Sequence, residues 1–227
     1  MSSLTGTVLK SDHPLSVVCG SVYSRNAGYW STFITDVSVQ PGTLFIVPNL
    51  GNREATGYDV VVIATVNETR VTVGTDVYNI NQAESVVLEY PVKQDITVVR
   101  CDKNCHLYVI IKNKNDFYQG SMLPVIPVSN MYMSAYLITL QYPRIDAYFV
   151  SIVAEGDRPY DVITLDGAPI DDKSWQSRDG YGYLWMEVSE GSHWLRYTGT
   201  RFAVYTYGYK AVGTSYGGYG DTILPEI

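Results

Sequence analysis

Short apolar runs separated by turn residues extend along most of the chain. In the segment 202–209 the residues alternate between two faces, with Phe202 and Val204 on one face and Tyr205 and Tyr207 on the other. Turns rich in Gly, Asp and Asn separate runs of this kind, and no long helical pattern interrupts them. Evenly spaced runs with a period of two are typical of antiparallel sandwiches and barrels. The sequence therefore predicts an all-β protein.

The order of these runs repeats along the chain. Segment 84–100 resembles 183–197, segment 105–114 resembles 201–210, and a further copy of the latter strand lies at 13–22. A repeat of this length is that of a whole domain, not of a solenoid unit. We therefore expect two tandem antiparallel β-sandwich modules related by an internal repeat. The expected division is a closing strand of an incomplete preceding module or a lead-in at 1–30, the first module at 31–120, the second at 121–213, and a linker or tail at 214–227.

Composition narrows the classes of partner. The chain of 227 residues has 16 Lys and Arg against 23 Asp and Glu, with a net charge of −7. Nucleic-acid binding needs clustered basic residues, so we expect no nucleic-acid partner. No apolar run reaches the roughly 18 residues of a membrane span. The chain also lacks the basic and apolar pattern of a signal peptide, so it is either cytosolic or a fragment of a secreted protein.

Two features favour the secreted fragment. Cys101 and Cys105, in the segment CDKNC, are close enough in sequence to close a small loop with a disulfide. Two free thiols or half of a metal site are the alternatives, although a zinc site would need four ligands. Asn67, followed by Glu68 and Thr69, is an N-glycosylation sequon. We expect a Cys101–Cys105 disulfide and a glycan on Asn67.

Tyrosine is unusually frequent, with 20 tyrosines against five phenylalanines. A tyrosine ring with its hydroxyl suits binding interfaces and carbohydrate platforms, but it is also favoured at half-exposed strand positions. The candidates for ligand binding are those near glycines and a tryptophan of the second module. They are Tyr181, Tyr183, Tyr216, Tyr219 and Trp175.

Signals for catalysis are weak. The nucleophile elbow Gly-x-Ser-x-Gly is missing, and His13, His106 and His193 are isolated from one another in sequence. The motifs of zinc and calcium sites are missing as well. We therefore expect no catalytic residues, no metal site and no cofactor.

Several segments resemble one known family. They are SDHPLSVVCG (11–20), PGTLFIVPNLG (41–51), LDG (165–167) with the following Trp175, EGSHWLRY (190–197) and FAVYTYGYKAVGTSYGGYG (202–220). Together they resemble the IgGFc-binding domain family, the N-terminal domain of the IgG Fc-binding protein of mucus and of related extracellular adhesion proteins. The resemblance implies a secreted or cell-surface protein that binds a protein or glycan ligand, such as immunoglobulin or mucin, and it implies no catalytic residues.

We therefore expect a non-catalytic extracellular binding or adhesion module, a fragment of a larger mucus, matrix or cell-surface protein. The alternative is a structural assembly module of viral, phage or surface-layer type that acts through β-sandwich self-association. A third hypothesis, a carbohydrate-active enzyme, would need two facing carboxylates about 5 to 10 Å apart.

Overall fold

The fold is almost entirely β-structure. A computed structural model describes residues 11–13, 41–48, 50, 55–91, 96–113, 119–130, 135–141, 147–156, 163–171, 175–197, 202–209 and 215–219. These residues form 16 strands and one 3₁₀ turn, Val128–Asn130. The all-β prediction is thereby confirmed. In this part of the chain no helix is long and apolar enough to cross a membrane.

The chain forms two compact units. The first comprises residues 1–47, 56–91 and 97–130, and the second comprises 48–55, 92–96 and 131–227. The expected modules at 31–120 and 121–213 stay a prediction, and the expected strand at 13–22 lies outside the described residues except for His13. One expectation was wrong: residues 215–219, placed in a linker or tail, form a strand within a sheet of the second unit.

The first unit contains a seven-stranded sheet. Its strands are β1 (Gly42–Val47), β2 (Ala55–Ala64), β3 (Thr69–Val73), β4 (Asp76–Ile80), β5 (Ser85–Pro91), β6 (Thr97–Asn113) and β7 (Gln119–Pro124). They follow the order β4-β3-β6-β2-β5, and β1 and β7 also pair with β6. The first part of β6 lies between β1 and β3, and its last part pairs with β7.

β-Branched and aromatic residues dominate the core of this first unit, as expected for strands with a buried face. Phe45, Val60, Val62, Val99 and Val109 are each 0% exposed. At the start of β1, a Cβ atom on Gly42 would overlap the ring of Pro127, so only glycine fits this close approach.

The second unit contains two sheets. Its strands are β8 (Ala135–Leu140), β9 (Ala147–Glu155), β10 (Ile163–Leu165), β11 (Ala168–Pro169), β12 (Gln176–Arg178), β13 (Tyr181–Val188), β14 (Gly191–Tyr197), β15 (Phe202–Tyr209) and β16 (Ser215–Tyr219). One sheet has the order β11-β10-β14-β8, and the other has the order β12-β13-β9-β15-β16.

The two sheets of the second unit share one hydrophobic core. Strands β8, β10 and β14 of the first sheet and β9, β13 and β15 of the second contribute side chains to it. Phe202 lies at its centre, where its ring centroid is 4.7 Å from that of Tyr136 and 5.5 Å from that of Tyr197, both in edge-to-face geometry. The Tyr136 hydroxyl donates to the carbonyl oxygen of Phe202 at 3.0 Å, which satisfies the polar end of a buried ring.

The strand pairings of the two units follow the same order. In the second unit β9 pairs with β13 and β15, β14 pairs with β8 and β10, and β15 pairs with β16. In the first unit β2 pairs with β5 and β6, and β6 pairs with β1, β3 and β7. The single strand β6 therefore corresponds to both β14 and β15. This correspondence is what an internal repeat would produce, although the repeat itself stays a prediction.

Candidate binding surface

Two of the tyrosines predicted to bind a ligand lie on one face of β13. Tyr181 is half-buried, whereas Tyr183 is buried and donates its hydroxyl to Gln176 Oε1 at 2.9 Å. Gln176 and Arg178 are aligned with Tyr183 and Tyr181 in the β12–β13 ladder, so these side chains share one face of the sheet. Tyr183 thus stabilises the strand pair, and Tyr181 is the one that reaches the surface.

The next residue on this face is Trp185, which is 37% exposed. Its ring centroid lies 6.0 Å from that of Phe149 on β9, and the Phe149 ring stacks on Tyr207 of β15. Phe149 and Tyr207 are both buried, and burial raises the pKa of Tyr207 against the opposing effect of a hydrogen bond with Ser151. Trp185 is therefore the exposed end of an aromatic row whose inner members are fixed by packing.

We use the name β13 surface for the exposed and half-buried side chains on this face. They are Gln176, Arg178, Tyr181, Trp185 and Glu187. The guanidinium of Arg178 donates to the carbonyl oxygen of Ile96 at 3.3 Å. Trp, Tyr and Arg are the residue types enriched among the hot spots of protein interfaces. The β13 surface therefore combines a packed aromatic centre with charged groups around it.

The remaining predicted residues lie elsewhere. Trp175 precedes β12 and packs against the core of the second unit, and within the described residues its indole Nε1 has no hydrogen-bond partner. Tyr216 and Tyr219 belong to β16, at the edge of the sheet opposite to β12. Two strands separate β13 from β16, which places their backbones about 14 Å apart at the usual strand spacing. The five predicted residues therefore do not form one continuous patch.

Trp185 is not among the residues predicted to bind a ligand, although the alternation in YGYLWMEV contains the signal. Tyr181, Tyr183 and Trp185 are spaced by two residues, so a strand places them on one face.

The predicted disulfide partners lie at an irregularity of β6. Gly42 is aligned with Cys105 and Leu44 with Arg100, so the intervening residues of β6 bulge out of the ladder. Cys101 and Cys105 are both buried and are present as free thiols. The pKa of Cys101 is raised, chiefly by a hydrogen bond with the Cys105 thiol and then by burial. The disulfide stays a prediction.

The predicted glycosylation site lies beside this bulge. Asn67 is exposed, and its Oδ1 accepts a hydrogen bond from the Gln82 backbone N–H at 3.1 Å. Its carbonyl oxygen accepts from Lys103 Nζ at 2.8 Å, and Thr65 Oγ1 donates to the carbonyl oxygen of Asn104 at 2.6 Å. The bulge and the turn that carries Asn67 therefore hold each other in place. Glycosylation of this asparagine stays a prediction.

His193, Asp166 and Ser189 form a constellation that the sequence did not predict. His193 is 8% exposed, and its Nδ1 lies 2.8 Å from Asp166 Oδ2. Its Nε2 lies 2.8 Å from the carbonyl oxygen of Ser189 and 3.4 Å from Ser189 Oγ. Asp166 Oδ1 accepts a hydrogen bond from the backbone N–H of Trp194 at 2.7 Å. The segments LDG and EGSHWLRY, which carry the family resemblance, thus meet at Asp166 and His193.

These residue types are those of a nucleophilic triad, but the geometry favours a structural role. In a triad the histidine Nε2 accepts the proton of the serine hydroxyl. Here Nε2 lies 2.8 Å from the Ser189 carbonyl oxygen, to which it must donate, and 3.4 Å from Ser189 Oγ. The hydrogen bonds from His193 and from Trp194 lower the pKa of Asp166. Burial lowers the pKa of His193, but the bonds to Asp166 and to the Ser189 carbonyl outweigh it and leave that pKa raised.

Comparison with known proteins finds one match. A family model described as "IgGFc binding protein" matches residues 1–208, a range that includes every strand from β1 to β14 and the whole β13 surface. No curated protein and no solved structure matches the chain.

Proposed function

The chain belongs to the IgGFc-binding family, as its motifs predicted, and on that premise we propose that it is a non-catalytic extracellular binding module whose β13 surface contacts a protein ligand. The observation that carries this proposal is the exposed ring of Trp185 on its buried aromatic support. A side chain that is already fixed before binding loses little conformational freedom on association, which favours affinity.

Immunoglobulin Fc is the ligand that we propose first. The family description names it, and the β13 surface has the composition of a protein hot spot. Arg178 and Glu187 lie on the same face as Trp185 and supply charges of both signs for pairing with polar groups of a partner. A mucin or another glycan is the second possibility, because an exposed tryptophan ring also packs against sugars.

Two measurements on the purified chain separate these ligands. Immobilised Fc and Fab fragments are tested for capture of the chain, and a glycan array is probed with the same preparation. We expect capture by Fc and not by Fab. Signal on glycans alone would assign the surface to a carbohydrate ligand, and silence in both assays would refute the proposal.

The extracellular location is part of the proposal and rests on two further observations. Asn67 is exposed within a sequon, where an attached glycan would project into solvent. Cys101 and Cys105 are buried free thiols at the same bulge of β6, and an oxidising compartment can pair them. Both fit a piece of a larger mucus, matrix or cell-surface protein.

Self-association is the alternative, and one observation favours it. Val77 on β4 and Val87 on β5 are each 53% exposed, and these two strands are the ends of the strand order in the sheet of the first unit. Exposed apolar residues on edge strands promote pairing between chains. Sedimentation over a range of concentrations tests this alternative. Val87→Lys places a charge on the β5 edge and should abolish an oligomer that forms through that edge. A monomer at all concentrations would exclude it.

A further inference from the structure

We propose that His193 is a proton-operated latch that holds the corner between β13 and β14 against the turn between β10 and β11. When the imidazole carries two protons it bonds the carbonyl oxygen of Ser189, and when it loses one it bonds the Ser189 hydroxyl instead. This inference is independent of the proposed function, because none of its residues belongs to the β13 surface and it needs no ligand.

Both nitrogens of the His193 ring face hydrogen-bond acceptors, so both must donate. Nδ1 lies 2.8 Å from Asp166 Oδ2, and Nε2 lies 2.8 Å from the carbonyl oxygen of Ser189. A carboxylate and a carbonyl can only accept hydrogen bonds, and a neutral imidazole has a single N–H. The observed geometry is therefore satisfied in full only by the imidazolium form of His193.

The neutral ring has a different partner within reach. Its one N–H stays with Asp166, and the bare Nε2 then faces the Ser189 carbonyl oxygen with two lone pairs opposed. Ser189 Oγ, at 3.4 Å from Nε2, can donate to the bare nitrogen if the carbonyl turns away. Loss of the proton thus exchanges the carbonyl of Ser189 for its hydroxyl. Because Nε2 can bond either the carbonyl or the hydroxyl of Ser189, the corner has two alternative states.

His193 lies where the exchange of the Ser189 carbonyl for the Ser189 hydroxyl would move the backbone of the corner. β13 belongs to the five-stranded sheet and β14 to the four-stranded sheet, so Ser189 and Glu190 form the corner at which the chain crosses between them. Asp166 has a φ of 52° and Gly167 a φ of 82°, the backbone of a tight β10–β11 turn. Because the ring of His193 is largely shielded from water, a lost partner is poorly replaced by solvent.

Few other charges act on the ring. Among the described residues, Asp166 is the charged group that contacts it, and its negative charge favours the imidazolium. On β8, the residue aligned with His193 is the apolar Ile138. Glu190 in the corner is exposed, and the guanidinium of Arg196 lies over the Trp194 ring at 5.3 Å from its centroid. Asp166 and Ser189 are therefore the groups to change.

The test is an NMR titration of the His193 ring in the intact chain and in three variants. In the wild type we expect His193 to titrate above its ordinary pKa of 6.5. Asp166→Asn removes the negative charge and should lower that pKa by about one unit, a tenfold loss of proton affinity. Ser189→Ala removes the partner of the neutral ring and keeps the carbonyl, so it should raise the pKa.

Asp179→Asn is the matched control. Asp179 has a φ of 53° and precedes a glycine with a φ of 82°, as Asp166 does, but it lies in the β12–β13 turn. Asparagine is favoured in such turns, so both Asp variants are expected to fold. The control should leave the titration of His193 unchanged.

The backbone amides of Ser189 and Glu190 provide the second readout. Their resonances should shift with the same midpoint as the ring if the corner follows the proton. The latch is refuted if His193 titrates at or below 6.5, if Ser189→Ala lowers its pKa or leaves it unchanged, or if the corner amides do not respond.

Discussion

The ring of Phe149 stacks on that of Tyr207, with 5.4 Å between the centroids and 17° between the ring planes. Tyr205 and Tyr207 are each 0% exposed, as are Phe202 and Val204 on the other face of β15. This strand is thus buried on both faces. The tyrosines of its YTY segment serve the packing of the second unit, and among the side chains that the structure describes in this sheet the exposed aromatic is Trp185.

Removal of the Tyr207 ring should destabilise the second unit strongly. Tyr207→Ala leaves a cavity beside Phe149, and the loss of a buried aromatic ring costs about 3 to 5 kcal/mol. Tyr181→Ala, on a half-buried position, should cost well under half of that. Denaturant unfolding followed by tryptophan fluorescence measures both values. Equal effects of the two variants would show that Tyr207 is not the core residue described here.

The Cys101–Cys105 pair should oxidise in a secreting host. Both thiols lie at the bulge of β6, so a disulfide would close the short loop between them. We expect the unreduced protein to be lighter than the reduced protein by the mass of two hydrogen atoms. Cys19, the third cysteine of the chain, is replaced by serine in this experiment so that it cannot pair with either of them. Two free thiols in the secreted Cys19→Ser protein would refute the prediction.

Asn67 should carry a glycan in the same secreted material. Asn67→Asp removes the sequon and keeps the Oδ1 acceptor for the Gln82 N–H, so the fold is retained. We expect enzymatic N-deglycosylation to lower the mass of the wild type and to leave that of Asn67→Asp unchanged. Thr69→Ser preserves the sequon and is the control that should keep the glycan. An unmodified wild type would contradict the prediction.

The Asp166–His193 pair should contribute most to stability in mildly acidic solution. The pKa of His193 is raised above 6.5, so its contribution is fully present below that value and is lost as pH rises through the folded pKa. The pKa of Asp166 is lowered below 3.8, so its contribution is present above that value and is lost as pH falls through the folded pKa. The Asp166→Asn variant should therefore lose most stability, relative to wild type, between about pH 3.8 and 6.5. A constant difference across the pH range, measured by thermal unfolding, would contradict this account.

Period-two alternation was sufficient to predict the fold class, because burial on one face of a strand leaves its trace in every second residue. Alternation did not predict the burial of β15. This strand is buried on both faces, whereas tyrosines at alternate positions are typical of a half-exposed strand. Alternation also placed TSYGGYG in a linker, since glycines weaken the strand pattern. Pairing with β15 compensates for the low strand propensity of this glycine-rich segment, and residues 215–219 form β16.

The candidate site was predictable only in part. Tyr181 was identified from composition, but no property of a single residue distinguishes it from the buried Tyr183, whose hydroxyl is paired with Gln176. The contact between Asp166 and His193 joins residues 27 positions apart in sequence. Such a contact depends on the strand pairing of β10 with β14, which the periodicity of either strand does not specify.

The affinity of the chain for immunoglobulin Fc, with and without the Trp185 ring, shows whether the β13 surface is the binding site. Trp194→Ala is the matched control, because Trp194 is a partly exposed tryptophan of the other sheet in the same unit. We predict that Trp185→Ala weakens Fc binding by about 30-fold or more, the effect of a hot spot of about 2 kcal/mol. Trp194→Ala should change it less than about threefold. Equal Fc affinity of wild type and Trp185→Ala, with both variants folded, would contradict the assignment of the β13 surface.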